Sequence, residues 1–188
     1  GNAEETYAYT VTANNGWTSL PAGGPFTLAM GASETIAVTH TVPADANAGD
    51  DSTVTFTVVG GSNSEVTTTA NQVYELSVSA GTLTGLKPGE TGQLSFTITN
   101  EGNGFDTYTI GYNGIWATGV SSTTEPLGSG SSATVTVDVA IPANEASGAS
   151  SVVGLSASGS MDTGASDSYD VTVASTARSL TVTGADAY

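Results

Sequence analysis

The chain has no cysteine, one histidine, one lysine and one arginine among 188 residues. Each scarcity removes a class of function. Without cysteine there is no disulfide framework, no thiolate nucleophile and no cysteine-ligated metal. Lys87 and Arg178 face 18 acidic residues, for a formal net charge of −16. Such a surface has almost nothing with which to neutralise phosphates, which argues against nucleic acid and anionic membranes as partners. No apolar run approaches the length of a bilayer span, so membrane insertion is not expected. No segment shows sustained helical periodicity, and no run has the form of a signal peptide. If the protein is exported, the sequence is a mature form or an excised part of one. There is no N-x-S/T sequon, so N-glycosylation has no obvious acceptor. Two basic residues are few for a cytosolic chain, and the expectation is an extracellular or cell-surface protein.

What is abundant points to strands. Ser and Thr make up 54 of the 188 residues and Gly another 24. Thr, Val and Tyr at alternating positions favour strands, and Gly, Asn, Asp and Pro punctuate turns. The chain also repeats itself. "SETIAVTHTVPADANAGDDSTVTFTVVGG" from Ser33 aligns without gaps with "SATVTVDVAIPANEASGASSVVGLSASGS" from Ser132, an offset of 99 residues. Trp17 matches Trp116, Pro43 matches Pro142 and Gly49 matches Gly148. Further on, "YELSVSAG" from Tyr74 matches "RSLTVTGA" from Arg178. Self-similarity at such a period marks tandem structural units.

The complete unit reads as seven strands: Tyr74–Ala80, Gln93–Asn100, Asp106–Tyr112, Trp116–Thr123, Ala133–Ile141, Ser151–Ala157 and Asp167–Ala174. Leu94, Phe96 and Ile98 share one face, as do Val135, Val137, Val139 and Ile141. Period-two alternation with one apolar face marks a half-buried antiparallel strand. Seven short strands in about 100 residues predict an immunoglobulin-like sandwich. The first unit keeps counterparts of the last five: Thr6–Thr12, Trp17–Leu20 with Phe26–Leu28, Thr35–Val42, Thr53–Val58 and Glu65–Ala70. The expected architecture is all-β. Residues 1–72 form an Ig-like sandwich lacking its initial strands, residues 73–175 form a complete one, and residues 176–188 add a C-terminal strand.

The stretches "LKPGETGQLSFTITNEGNGFDTYTI" and "VAIPANEASGASSVVGLSASG" resemble the tandem Ig-like repeats of prokaryotic surface and secreted proteins, bacterial or archaeal, of the adhesion-related type. The resemblance covers nearly the whole chain and rests on structural motifs: a turn before the second strand, an N-x-G-N corner and a Pro-Ala turn before the sixth strand. It implies a fold and a location, and no catalytic signature. Such proteins act as spacers, adhesins, lattice or filament subunits, and sometimes sugar binders. The fold does not choose among these.

Candidate sites are few. His40 sits where the repeat has Val139, on the inward face with Ile36, Val38 and Val42. It reads as a core or cleft histidine bonded to backbone, because no cysteine or second histidine completes a site. No serine stands in a G-x-S-x-G elbow, and no enzyme activity is expected. The loop "PADANAGDD" offers Asp45, Asn47, Asp50 and Asp51, oxygen donors suited to calcium. Its spacing is not that of an EF-hand, and the matching loop "PANEASGAS" lacks the acid pair, so the solvated-turn reading is preferred. Trp17 and Trp116, with Tyr7, Tyr9, Tyr108 and Tyr112, have the character of sugar-stacking residues. The two tryptophans recur at one repeat position, which favours packing.

The first unit has no counterpart of the second strand, "GQLSFTITN". It should therefore expose an apolar groove and unpaired strand edges. The C-terminal "RSLTVTGADAY" puts Leu180 and Val182 on one face and has β-branched residues at Thr181, Val182 and Thr183. The expectation is that Leu180, Thr181, Val182 and Thr183 form a strand donated to the next subunit. Its acceptor is the groove along Ile36, Val38, His40 and Val42. Strand addition of this kind gives a head-to-tail homopolymer, a structural subunit of an extracellular filament, sheath or surface layer. The alternative is a stalk or a carbohydrate-binding or adhesive module cut from a longer surface protein, with glycans as partners.

Overall fold

The computed structural model describes residues 3–19, 24–121 and 124–177. These residues contain fourteen strands, and every pairing between strands is antiparallel. The chain divides into two compact units, Gly1–Gln72 and Val73–Tyr188. The first holds β1 (Glu5–Tyr7), β2 (Tyr9–Ala13), β3 (Thr18–Ser19), β4 (Phe26–Leu28), β5 (Thr39–His40), β6 (Asp51–Val58) and β7 (Asn63–Thr69). The second holds β8 (Leu76–Ala80), β9 (Thr91–Asn100), β10 (Tyr108–Asn113), β11 (Ala117–Val120), β12 (Ser132–Ala140), β13 (Ser150–Gly159) and β14 (Ser166–Ala174).

The second unit is a sandwich of a four-stranded sheet, β11-β12-β9-β8, and a three-stranded sheet, β10-β13-β14. This is the strand order of a constant-type immunoglobulin domain. Alternation places the core. Leu94, Phe96 and Ile98 of β9 are at most 1% exposed, whereas Gln93 before them and Ser95 between them face solvent. In register beside them, Val137 pairs with Leu94 and Val135 with Phe96. Val153 and Leu155 of β13 and Val173 of β14 close the core from the other sheet. Each such side chain contributes about 1.5–3 kcal/mol on burial. At one edge Val78 N–H donates to the Asp167 carboxylate at 2.7 Å, which ties β8 to β14 across the two sheets.

The motifs noticed in the sequence have physical causes here. Asn100 is buried, and its amide donates to the carbonyls of Gly104 and Leu127, both at 2.8 Å, while its oxygen accepts from Gly102 N–H at 2.9 Å. A side chain at Gly102 would collide with the Val73 carbonyl. Gly114, at φ +116°, turns the chain from β10 towards Trp116, and a methyl there would strike the Val152 carbonyl.

The first unit keeps the same three-stranded sheet, as β2-β6-β7. The rest of it departs from expectation. Thr6–Thr12 is two strands, because β1 pairs with β4 while β2 pairs with β6. Phe26–Leu28 therefore belongs with β1 and not with the strand after Trp17. The expected strand Thr35–Val42 shrinks to β5, two residues paired with β3. Its counterpart β12 is nine residues long and is paired with β9 along its whole length. A strand keeps its ladder only beside a neighbour, and among the described residues segment 33–38 has none.

Tyr108 is 1% exposed and its hydroxyl has no partner among the described residues. Burial pushes its phenol up to about 12, and the nearby Asp106 charge adds to the rise. A raised phenol pKa favours the folded state fully below pH 10, and that contribution is lost as the pH rises through 12. We expect the second unit's resistance to urea unfolding to weaken over that window. In Tyr108→Phe this part of the alkaline loss should vanish. An unchanged alkaline profile in the variant would refute the assignment.

Candidate functional site

Among the described residues, segment 33–42 of the first unit departs from its counterpart in the second. By the 99-residue offset, Ile36, Val38 and His40 stand where Val135, Val137 and Val139 stand in the second unit. Those three valines are at most 2% exposed, sealed by β9. Ile36, Val38 and His40 are only half-buried, and Val42 is 38% exposed. The facing sheet repeats the pattern. Val54 and Phe56 of β6 are half-buried, although their counterparts Val153 and Leu155 are sealed.

Two cavities open along segment 33–42. One, of about 350 Å³, is lined by Ile36, Val38 and His40 on one side and by Val54, Phe56 and Val66 on the other. The next, of about 550 Å³, shares Ile36 and Phe56 with it and reaches Phe26, Leu28 and Val58. An aromatic row supports this second stretch. Phe26 lies 5.8 Å from Tyr7 and 5.7 Å from Tyr9, and Tyr9 stacks at 5.3 Å on Phe56. Tyr7 and Tyr9 therefore serve packing, within the range of favourable ring pairs.

Of the acceptor residues expected from the sequence, Ile36, Val38 and His40 line one cavity, and Val42 is not among its lining residues. Sequence reasoning missed the opposite wall, Val54, Phe56 and Val66, and the extension through Phe26 and Leu28. A signal for Val54 and Phe56 existed. Both align with sealed residues of β13 at the same offset. The donor residues Leu180, Thr181, Val182 and Thr183 lie outside the described residues.

His40 occupies the groove wall with a specific geometry. Its Nδ1 is 2.7 Å from Thr18 Oγ1, a side-chain partner where a backbone one was expected. Its ring meets Trp17 edge-on at 6.1 Å. Its Nε2 is buried and has no partner among the described residues. A buried nitrogen left unpaired is costly, and an incoming group that paired with it would be favoured. Trp17 itself is half-buried, whereas Trp116 is 1% exposed. Only the second tryptophan is the core residue the repeat suggested. Trp116 and Tyr108 have no face to offer a sugar.

The acidic loop is held as a turn. Asn47 N–H donates to Asp50 Oδ2 at 2.9 Å, and Gly49 N–H donates to the Ala70 carbonyl at 3.0 Å. Asp51 begins β6, and its carbonyl accepts from Asn15 Nδ2 at 2.8 Å. Asp45 and Asn47 remain exposed. Among the described residues no group of three or more histidine, cysteine, aspartate or glutamate residues is placed to hold a metal.

No family model matches the chain, and no curated protein matches it.

Because the groove is open, truncating its wall should cost less than truncating the matching core. Leu155→Ala should lose about 2–5 kcal/mol. Phe56→Ala, at the equivalent position, should lose less than about 2 kcal/mol despite the larger side chain, since Phe56 is only half-buried. Urea titration of dilute protein compares the two. Equal losses would mean that the first unit is sealed in solution.

Proposed function

We propose that this protein is a structural subunit of an extracellular filament, sheath or surface layer. Subunits join head to tail by donation of a β-strand. The donor is residues 178–188 of one copy, and the acceptor is the first-unit groove of the next. The observation that carries this reading is the groove itself. It is apolar, bounded on one side by a segment without a ladder partner among the described residues, and it sits where the repeat places an interior strand.

The sequence of the donor suits that place. Leu180 and Val182 alternate with Thr181 and Thr183, giving an apolar face inward and a polar face outward. Burying the two apolar side chains contributes about 1.5–3 kcal/mol each. Each ladder hydrogen bond adds a net contribution of about 0.5–1.5 kcal/mol. These gains must exceed the cost of association and of ordering the donor. Because donor and acceptor are different surfaces, each added subunit leaves one of each free, and the product is an open polymer.

The strong acidity fits an assembly in which specific contacts are local. With a net charge of −16, unassembled chains repel one another. Association is therefore expected to rise with salt, because screening weakens the repulsion while the apolar contact remains.

Deleting residues 178–188 should leave soluble monomers that lengthen only when intact chain or the tail peptide is supplied. The deletion spares Thr176, whose N–H donates to the Leu86 carbonyl at 2.7 Å within the second unit. Light scattering and negative-stain microscopy read the outcome. Polymers from the truncated chain, or a stable monomer from the intact chain at high concentration and high salt, would overturn the reading.

A further inference from the structure

The groove is not symmetric along its length, and its two ends carry different chemistry. In the second unit β9 lies antiparallel to β12, with Ile98 beside Ala133, Phe96 beside Val135, Leu94 beside Val137 and Gly92 beside Val139. Carried back by 99 residues, the same four places face Glu34, Ile36, Val38 and His40. One end is thus an exposed carboxylate, and the other is an imidazole with a buried Nε2 that has no partner among the described residues. Two apolar seats lie between them.

The donor sequence has an ordered face of the same length. In an extended strand Arg178, Leu180, Val182 and Gly184 share one side. The two central residues suit the two apolar seats in either direction, so the ends decide. Run antiparallel to segment 33–42, as β9 runs to β12, the donor sets the Arg178 cation beside His40 and leaves Glu34 facing Gly184. Run parallel, it sets Arg178 beside Glu34, Leu180 beside Ile36, Val182 beside Val38 and Gly184 beside His40. The parallel arrangement pairs the chain's only arginine with a carboxylate. It also places the one donor residue without a side chain against the bulkiest seat, where the exposed glycine backbone can meet the imidazole Nε2. An antiparallel slip of two residues in either direction sets a charged residue or Gly184 against an apolar seat, or Asp186 against Glu34.

We propose that the donated strand runs parallel to segment 33–42 and that Glu34 and His40 fix its direction and register, by ion pairing with Arg178 and by accommodating Gly184. The inference rests on the strand-donation reading and adds the residues that orient the donor. These are specificity residues of an assembly interface, since the apolar seats alone do not distinguish the two directions.

The absence of cysteine makes the test direct. The full-length double variant Arg178→Cys/Glu34→Cys should form a ladder of disulfide-linked oligomers on mild oxidation, visible without reductant. Arg178→Cys/His40→Cys should not. The reverse result would keep strand donation and overturn the direction. A ladder from neither pair would count against donation itself, and the truncation experiment would then show monomers that ignore added peptide. A second measurement is independent of cysteine geometry. Arg178→Glu should weaken assembly about fivefold or more, and adding Glu34→Arg should restore it. Failure of the charge swap to rescue, with assembly otherwise intact, would overturn the Arg178–Glu34 pairing.

Discussion

Among the described residues no strand lies beside segment 33–38, and the poor burial of the first unit's walls follows from that. The two units share the same three-stranded sheet, and the residues that should form a core align at a fixed offset. Yet fifteen hydrophobic residues form a buried cluster in the second unit, and in the first the described buried hydrophobic residues are Ala46 and Ala70 alone. The composition of the walls does not explain the difference. Val54 and Phe56 are as apolar as Val153 and Leu155. The second unit has Leu94, Phe96 and Ile98 between its two sheets, and the first unit has nothing in that place among its described residues. β9 supplies three of those fifteen core residues and a ladder to each of its neighbours, β12 and β8. Losing it removes the apolar contact and the hydrogen bonds together. That is why segment 33–38 is irregular and β12 is not.

The chemistry of the outer faces follows from the shortage of cations. A sheet surface can be linked by ion pairs or by short polar side chains across strands. With Lys87 the only lysine or arginine among the described residues, ion pairs are largely closed to this chain. Hydroxyl pairs replace them. Thr53 meets Thr67 at 2.8 Å, Thr6 meets Thr27 at 2.9 Å and Thr99 meets Ser132 at 2.9 Å, each across neighbouring strands. Threonine serves twice here, since its branched Cβ favours the extended backbone. The carboxylates act locally, as acceptors for backbone N–H groups. Asp50 caps its turn, Glu90 accepts from Lys87 N–H at 2.8 Å, and Asp167 joins two sheets. The Ser/Thr-rich, cation-poor composition is thus a consistent way to build sheets and turns with few salt bridges.

How much of this was legible in the sequence depends on whether a residue's environment lies in the chain itself. The alternation of β9 and β12 was plain, because each pairs with a neighbour that the sequence also contains. The domain-scale repeat was plain for the same reason. Thr35–Val42 misled, since its alternation is that of a strand and its partner is not among the described residues. Trp17 misled in the same way, matching Trp116 in position and not in burial. His40 was placed on the correct face, but its Thr18 partner was not foreseen. Pairing at β3–β5 depends on a register that periodicity does not specify. The wall formed by Val54 and Phe56 was readable through the offset, whereas the reach of the groove to Phe26 depends on the β1–β4 pairing, which no local pattern announced.

Matching hydrogen bonds hold the end of each unit. Gly49 N–H donates to the Ala70 carbonyl and Ala70 N–H to the Asp50 carbonyl, at 3.0 and 2.8 Å. In the second unit Gly148 N–H donates to the Ser175 carbonyl and Ser175 N–H to the Ala149 carbonyl, again at 3.0 and 2.8 Å. The two units thus close with matching bonds, and in the second Thr176 N–H adds another to the Leu86 carbonyl at 2.7 Å. After Ala70 the chain becomes β8, whose Leu76 and Val78 are buried in a sandwich that already contains a β9. After Ser175 it carries the matching pattern, Leu180 and Val182, but the second unit's own first-strand place is taken by β8. By repeat position the tail is the counterpart of β8, the strand that lies beside β9. The first unit has no described β9 to stand between such a strand and segment 33–42, so the free edge that the tail would meet is that segment itself. Under the proposed donation, a tail whose sequence has a β8-like pattern would meet a groove lined by Ile36, Val38 and His40. Two aliphatic side chains where β9 supplies Leu, Phe and Ile would make such a contact weaker than an intact core, and the choice of direction would then fall to the polar groups at its ends.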